Sequence, residues 1–295
     1  MKFKSGFVTI IGRPNVGKST LMNQVIGEKI AIMSDKPQTT RNKIQSIYTK
    51  DHFQIIFLDT PGLHKPKNKL GEFMVKSAQQ TLNEVDVILF VIDDTANMGP
   101  GDTYILEMLK TVKTPVILVI NKIDKISPDD FERLYHIFAD QGIFKEIIGI
   151  SALQDKNINK LIEKIVDLLP EGPQYFPADM ITDQPERVIV GEIIREKLLH
   201  YLHEEVPHGV AVEVTVMRKR EEQDIVDINA TIYCEKKSHK GIIIGKNGRK
   251  LKGIGKSARE DIERLLGSKV FLELWVKVKE DWRDNESTLS YLGYK

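Results

Sequence analysis

The sequence contains one cysteine, Cys234, and this scarcity excludes several kinds of site. A single thiol forms no internal disulfide, and without a second thiol there is no zinc site built from paired thiolates. Cys234 lies in a segment of alternating apolar residues, where a buried thiol acts as a small hydrophobic side chain. We therefore expect Cys234 to be a core residue rather than a nucleophile.

Long apolar runs are also absent from the sequence. No stretch reaches the roughly 20 apolar residues that a membrane-spanning helix needs. The apolar run at residues 7–11 is too short for a signal peptide and is followed at once by a glycine loop. The absence of these segments predicts a cytoplasmic location.

Neither sign of charge prevails. Lysine and arginine number 43 and aspartate and glutamate 42, so the formal net charge of +1 favours no class of partner, although a local basic patch can lie within that balance. The 295 residues exceed the length of one typical domain, which predicts two. The hydrophobic fraction of 41% is enough for a globular protein with a substantial core.

The first part of the chain alternates short β-rich runs with helical stretches. Several runs are apolar on both faces, as strands of a helix-covered parallel sheet must be. This order predicts a doubly wound, mostly parallel α/β domain over residues 1–172. The predicted strands are 8–11, 44–48, 54–58, 87–92, 116–120 and 147–150.

The pattern changes after a break at Pro170, Gly172, Pro173 and Pro177, which predicts a linker over residues 173–184. A helical stripe follows at 186–203, and then two segments of strand period at 210–216 and 226–232. A glycine-rich stretch opens a helix that runs to about residue 266, and a last strand covers 270–278. Residues 185–295 are thus predicted to form an α+β domain of order α-β-β-α-α-β.

A phosphate-binding loop is the first candidate site. Residues 12–19 match G-x-x-x-x-G-K-[ST] between a predicted strand and a predicted helix, as the motif requires. Its glycines let backbone N–H groups approach phosphate oxygens at a helix N-terminus. Lys18 would reach the β- and γ-phosphates, and Ser19 would ligate Mg²⁺. The candidate residues here are Gly12, Arg13, Pro14, Asn15, Val16, Gly17, Lys18, Ser19 and Thr20.

Three further segments follow predicted strands, at the edge where open α/β sheets bind ligands. Asp59, Thr60, Pro61 and Gly62 form the first; Asp59 would hold Mg²⁺ through water, and the Gly62 N–H would sense the γ-phosphate. Taken singly, such a strand-end aspartate or serine is often only a helix cap. The other candidates are Asn121, Lys122 and Asp124, and then Ser151 and Ala152.

The Asn121–Lys122–Ile123–Asp124 segment predicts guanine selectivity. A carboxylate at Asp124 accepts from both N1–H and the 2-amino group of guanine. Adenine lacks both donors and would leave that carboxylate unpaired. Lys122 would lie over the base, and a backbone N–H at Ser151 or Ala152 would read O6.

These segments, in this order, resemble the translation-factor-like GTPases. Asn15 and the run Gln38-Thr39-Thr40-Arg41-Asn42 resemble the subgroup that contains the Era family, the double-domain ribosomal GTPases and the tRNA-modifying GTPases. The resemblance implies that Thr40 ligates Mg²⁺ and that Lys18, Thr40 and Gly62 are catalytic. In several members the equivalent of Asn15 helps to hold a K⁺, which makes Asn15 a candidate K⁺ ligand.

The sequence departs from the Ras-like pattern at Leu63. Ras-like enzymes place a water-orienting glutamine there, and a leucine has neither donor nor acceptor. Water must then be positioned by backbone groups, a partner or another residue. His64 is adjacent, but a lone histidine in a loop is more often solvated than a base.

A second candidate site lies in the C-terminal part. Gly245-Lys246-Asn247-Gly248 is a G-x-x-G loop between two predicted helices, and residues 236–259 carry nine basic and no acidic side chains. With the α-β-β-α-α-β order, this resembles a type II KH domain, in which the loop clamps single-stranded RNA. A solvated lysine-rich face is the alternative. The candidate RNA-binding residues are Lys240, Gly245, Lys246, Asn247, Gly248, Arg249 and Lys250.

Nearly the whole chain then resembles the Era family, a GTPase domain followed by one type II KH domain. The resemblance implies a switch that binds GTP or GDP, uses Mg²⁺, binds the small-subunit ribosomal RNA near its 3′ end, and acts in maturation of that subunit. It also implies peripheral association with the cytoplasmic membrane. The switch would consist of residues 36–42 and 63–71, ordered by the γ-phosphate.

Two other functions stay open at this point. One is a constitutive RNA-binding protein whose first domain only stabilises the fold. The other is a tRNA-modifying GTPase, which is disfavoured because the sequence has no cysteine-bearing catalytic segment and no helical domain around the first domain. Trp275 and Trp282 could stack on bases, although packing within the protein is the commoner role of tryptophan.

Overall fold

The computed structural model describes residues 2–34, 36, 39–61, 66, 68–93 and 98–294. The chain divides into two compact units, one of Met1–Pro66 with Gly71–Asp183 and one of Lys67–Leu70 with Gln184–Lys295. None of the helices in the described ranges is long and apolar enough to cross a membrane.

The first unit is built on a twisted sheet. Over the described residues its strands are β1 (Lys4–Ile11), β2 (Ile44–Lys50), β3 (Phe53–Asp59), β4 (Val87–Ile92), β5 (Val116–Ile120) and β6 (Phe144–Gly149). The spatial order is β2-β3-β1-β4-β5-β6, with β2 antiparallel to β3 and the other neighbours parallel. The mostly parallel sheet of the prediction is therefore confirmed. The order reverses around β1, which puts a ligand crevice at the carboxyl ends of the central strands.

Helices cover both faces of this sheet, and β4 shows why. Its residues Val87, Leu89 and Val91 belong to one buried cluster and Ile88, Phe90 and Ile92 to another. A strand buried on both faces cannot alternate with polar residues, which explains its continuous apolar run. The covering helices are α1 (Lys18–Ile26), α2 (Lys69–Leu82), α3 (Pro100–Leu109), α4 (Pro128–Ala139) and α5 (Ile158–Leu168).

β1 begins at Lys4 rather than at residue 8, and β6 also begins earlier than the sequence predicts. β6 was predicted over 147–150 but starts at Phe144. The polar pair Lys145 and Glu146 interrupts the apolar run, so the beginning of this strand is not visible in the sequence. Phe144 stacks on Phe90 at a ring-centroid distance of 6.3 Å, so tertiary packing extends the strand.

The segment predicted as a linker, 173–184, lies along the first unit for most of its length. Ser5 Oγ donates to the Pro173 carbonyl at 2.6 Å, and Ile47 N–H donates to the Ile181 carbonyl at 2.8 Å. Thr182 Oγ1 donates to the Gln45 carbonyl at 2.6 Å. Because β2 is an edge strand, this segment occupies backbone groups that would otherwise be open to another chain.

The second unit confirms the predicted α-β-β-α-α-β order. Its elements over the described residues are α6 (Glu186–Tyr201), β7 (Ala211–Lys219), β8 (Ile225–Cys234), α7 (Lys237–Ile244), α8 (Arg249–Leu266), β9 (Lys269–Val278) and α9 (Glu286–Tyr291), of which α9 was not predicted. β8 lies between β7, to which it is antiparallel, and β9, to which it is parallel.

Alternate residues of β8 carry the core of this unit. Val226, Ile228, Ala230, Ile232 and Cys234 pack with apolar residues of α6 and α8. Cys234 is fully buried, and this burial raises the pKa of its thiol, as expected for a core residue rather than a nucleophile.

Candidate nucleotide site and nucleic-acid interface

The turn between β1 and α1 has room only for glycine at two positions. A Cβ on Gly12 would lie 2.3 Å from the carbonyl oxygen of Val91. At Gly17 the backbone has a φ of +98°, and a Cβ would lie 2.2 Å from the amide nitrogen of Asn121. Both positions bring the backbone close to its neighbours, and the N-terminus of α1 follows directly, as an anion-binding loop requires.

The side chain of Lys18 is enclosed by this turn. Its Nζ donates to the carbonyl of Gly12 at 3.1 Å and to that of Arg13 at 2.6 Å. Burial lowers the pKa of Lys18 to about 8, although the Asp59 carboxylate opposes that shift. The loop therefore holds a desolvated ammonium, and a phosphate placed there would favour its charged form.

Ser19, Thr40 and Asp59 meet next to Lys18. Ser19 Oγ and Thr40 Oγ1 donate to Asp59 Oδ2 at 3.2 and 3.1 Å, and the two hydroxyls are 3.4 Å apart. The other oxygen, Asp59 Oδ1, is buried and has no hydrogen-bond partner among the described residues. Burial raises the pKa of Asp59 to about 6, against the effect of the Lys18 ammonium. Two hydroxyls and an unsatisfied carboxylate oxygen are oxygen ligands of the kind that Mg²⁺ prefers, so the residues fit that ion.

Asn121 ties three loops together at the carboxyl ends of the strands. Its Nδ2 donates to the Val16 carbonyl at 2.8 Å, and its Oδ1 accepts from the Ala152 N–H at 3.0 Å. Asn121 is almost fully buried, so it acts here as a structural clamp between the phosphate loop and the loop after β6. The Ala152 N–H is therefore already engaged, and its reading of guanine O6 stays a prediction.

Asp124 stands at the open side of this arrangement. Its carboxylate is exposed, and a hydrogen bond with Ser151 holds the pKa of the Asp124 carboxyl below its usual range. A charged acceptor at the mouth of the crevice is what selection of two neighbouring guanine donors requires.

Not every predicted residue lines the crevice. Arg13 forms ion pairs with Asp93 and Asp102, and Thr20 Oγ1 contacts the Met33 sulfur at 3.6 Å. Thr60 is buried and donates to the carbonyl of Ile10 at 3.2 Å, which makes it part of the sheet end.

The remaining predicted residues lie in the loops themselves. Asn15 is exposed and has a φ of 69°, and Pro14 and Pro61 belong to the loops after β1 and β3. Gln38, Gly62, Leu63 and His64 lie outside the described residues.

The sequence did not point to Asp93 or Asp102. Both are buried and hold Arg13, and Asp93 also pairs with Lys122 at 2.9 Å. The signal that could have found Asp93 is its place directly after β4, since Asn121 directly follows β5 and Asp59 ends β3.

The G-x-x-G loop of the second unit is an exposed turn between α7 and α8. Gly245 and Gly248 have φ angles of +71° and +72°, and a Cβ on Gly245 would lie 2.7 Å from Lys250 Cβ. Lys246 and Asn247 are exposed at its tip, as are Lys240 and Arg249 on the flanking helices. The predicted basic residues thus surround one open turn.

A groove of about 720 Å³ runs beside this turn between α8 and β9. One wall is basic, with Lys252, Lys256 and Arg259, and the other is apolar, with Phe271, Leu272 and Leu274. The basic wall lies within the stretch that the sequence singled out, whereas the apolar wall does not. Positive charge beside apolar contacts is the arrangement that single-stranded RNA binding uses.

The two tryptophans differ. Trp282 is fully buried, donates from Nε1 to the Gly209 carbonyl at 2.9 Å and stacks on Tyr294. Trp275 on β9 is 60% exposed. Packing is thus the role of Trp282, and the role of Trp275 is not fixed by the fold.

Comparison with known proteins decides the family. A model described as 50S ribosome-binding GTPase matches residues 7–122, and one described as KH domain matches residues 205–283. The chain is 70% identical to GTPase Era of Alkaliphilus oremlandii over 294 residues, which covers 100% of both proteins. The chain belongs to the Era family. GTPase Era of Clostridioides difficile is 64% identical over 99% of each chain.

Solved structures of Era agree with this assignment. A crystal structure of Era in complex with MgGDPNP and nucleotides 1506–1542 of 16S ribosomal RNA has 44% sequence identity, a TM-score of 0.95 and coverage of 99% of both chains. A structure of an Aquifex aeolicus Era variant bound to GDP and AlF₄⁻ matches with the same values. As a member of the Era family, this chain is a GTPase with an α/β P-loop domain and a C-terminal KH domain.

Proposed function

We propose that this chain is a GTP-hydrolysing switch that binds small-subunit ribosomal RNA near its 3′ end and acts in assembly of that subunit. Hydrolysis is assigned to residues 1–172 and RNA binding to residues 185–295. The observation that carries the proposal is the meeting of Lys18, Ser19, Thr40 and Asp59 at the carboxyl end of the sheet. The similarity to an Era structure in complex with 16S RNA supports the RNA partner.

The residues of the phosphate loop bind and orient the triphosphate in this proposal. Backbone N–H groups of the loop at residues 12–20, Pro14 apart, would donate to phosphate oxygens, and the buried Lys18 ammonium would reach the β- and γ-phosphates. Ser19, Thr40 and Asp59 would hold Mg²⁺, the last through water. The ion supplies positive charge that neutralises the phosphates when it is bound. Gly62 senses the γ-phosphate, which stays a prediction because it lies outside the described residues.

Selectivity for guanine rests on Asp124, which accepts from N1–H and from the 2-amino group. The Ser151 hydrogen bond keeps the Asp124 carboxyl ionised, so it remains an acceptor. Asn121 fixes the loop that carries it, and Lys122 lies over the base. Adenine offers neither donor and leaves the carboxylate without a partner.

The experiment that tests the switch is an RNA titration in two nucleotide states. An oligonucleotide with the sequence of the 3′ end of the small-subunit RNA is titrated with protein bound to GDP and to a non-hydrolysable GTP analogue. We expect different affinities, because a γ-phosphate orders the switch segments and GDP does not. Equal affinities would support a constitutive RNA-binding protein instead.

A monovalent cation and a membrane surface are two further partners that we propose for this chain. A K⁺ held by Asn15 would add positive charge beside the phosphates. Hydrolysis should then be faster in K⁺ than in Na⁺, and equal rates would remove the ion from the mechanism. Peripheral association of a cytoplasmic protein with the membrane stays a prediction that rests on the family resemblance.

A further inference from the structure

One carboxylate lies between the two loops that would hold the nucleotide. Asp93 follows β4, and its Oδ1 accepts from Arg13 Nη2 at 2.9 Å. Its Oδ2 accepts from Lys122 Nζ, also at 2.9 Å. The Asp93 side chain is only 12% exposed, so both contacts are partly shielded from water. A single buried group thus touches one residue of the phosphate loop and one residue of the segment 121–124, which we call the guanine loop.

The other side of Arg13 is fixed as well. Its Nε donates to Asp102 Oδ1 at 2.7 Å, and Asp102 is almost fully buried. Asp102 Oδ2 in turn accepts from the Gly99 N–H at 3.2 Å, at the start of α3. A Cβ on Gly101 would lie 2.9 Å from Arg13 Cδ, so the glycine leaves the space through which the arginine passes. Arg13 is therefore held at two points of its guanidinium and along its stem.

We propose that Asp93 is a positioning residue that couples the guanine loop to the phosphate loop. The inference rests on the nucleotide site proposed above. With one oxygen on Arg13 and the other on Lys122, the carboxylate fixes the distance between two loops that are far apart in sequence. Removing its charge leaves two partly buried cations facing a neutral side chain. Breaking both ion pairs in this way is destabilising, because each cation stays shielded from water without its counter-charge.

The test is a set of dissociation rates for a fluorescent GDP analogue. The single variants are Asp93→Asn, Lys122→Met and Arg13→Gln. Two double variants combine Asp93→Asn with Lys122→Met and with Arg13→Gln. We expect Asp93→Asn to accelerate dissociation roughly tenfold, which corresponds to about 1.4 kcal/mol. The GDP analogue should dissociate from each double variant more slowly than the product of the two single effects predicts. The reason is that both cations act through the same carboxylate.

A second readout separates positioning from loss of fold. At saturating GTP the Asp93→Asn variant should hydrolyse within about threefold of the wild-type rate, with the loss confined to KM, because the carboxylate orients loops and faces no reacting atom. Lys164→Met is the matched control. It breaks the 3.0 Å ion pair of Lys164 with Glu146 in the same unit, and it should leave nucleotide dissociation unchanged.

Additive effects in both pairs, or a fall in the saturated rate equal to the rise in KM, would overturn the inference. If Asp93→Asn does not fold, the pair Arg13→Gln and Lys122→Met carries the same test, because those side chains meet through Asp93. Failure of the wild-type protein to bind the GDP analogue would instead refute the nucleotide site itself.

Discussion

The nucleotide site and the RNA groove are built in opposite ways. At the end of the first sheet several functional groups are buried among fixed partners, as Asn121 is between Val16 and Ala152. In the second unit the basic side chains are exposed around a turn and along one wall of an open groove. Buried polar groups discriminate strongly because a wrong ligand leaves them unpaired, whereas exposed charges give affinity that salt weakens. We therefore expect single substitutions to have their largest effects in the first unit.

The largest expected effect is the loss of hydrolysis in Lys18→Ala. This change removes the buried ammonium from the phosphate loop, and hydrolysis should fall by a factor on the order of 1,000 or more. Phosphate release under single-turnover conditions measures it. A thermal melt that shows an intact fold is the control, and near-normal turnover in a folded variant would contradict the role of Lys18.

The next effect concerns the choice of base. Asp124→Asn presents an amide donor where guanine also has one, whereas xanthine has a carbonyl there. GTP affinity should fall and xanthosine triphosphate affinity rise, so that their ratio changes by roughly four orders of magnitude. Competition titrations give the ratio. Unchanged GTP affinity would show that Asp124 does not face the base.

RNA binding should respond to a change in charge at the turn. Lys246→Asp with Asn247→Asp places two carboxylates where phosphates are expected and keeps both glycines, so RNA affinity should fall on the order of 100-fold. A fluorescent oligonucleotide titrated over a salt series measures it, and wild-type affinity should itself fall with salt.

A matched variant tests whether the position matters. Lys219→Asp with Gln223→Asp makes the same change in formal charge on exposed residues near the hairpin between β7 and β8. It should bind RNA nearly as well as the wild type. Equal losses in the two double variants would mean that only net charge counts, and GTP hydrolysis should be unchanged in both.

The smallest expected effect is a pH dependence of nucleotide affinity. Burial lowers the pKa of Lys18 to about 8, so the ammonium is lost as the pH rises through that value. GDP affinity should therefore fall by roughly eightfold between pH 7.5 and 9. Because burial disfavours the charged form, the nucleotide-free protein should in contrast become more stable as the pH rises above 8.

Calorimetric titration with GDP across this range checks the prediction. Lys18→Arg, whose guanidinium does not titrate in the range, should show a flat profile if it binds. A flat profile in the wild type would show that the Lys18 ammonium does not limit affinity.

Local motifs were readable from the sequence because local geometry dictates them. The phosphate loop is recognised from the spacing of Gly12, Gly17 and Lys18 between a strand and a helix, a motif contained in one short segment. The strands of the first sheet were predicted for the same reason, since burial on both faces forces apolar runs.

Features that depend on distant partners were not readable. Asp93 looks like any carboxylate after a strand until Arg13 and Lys122 are placed beside it. The apolar wall of the RNA groove was hidden because β9 alternates like an ordinary half-buried strand. Only the position of α8 shows that Phe271 and Leu274 line an open groove.

The segment along β2 has a practical consequence for dividing this protein. Cutting the chain at residue 172 would remove the Ile181 carbonyl from the Ile47 N–H and the Thr182 hydroxyl from the Gln45 carbonyl. The exposed border of the sheet could then recruit a second copy and precipitate. A fragment that ends at residue 183 keeps these hydrogen bonds to β2. It should stay monomeric under conditions in which the shorter fragment aggregates.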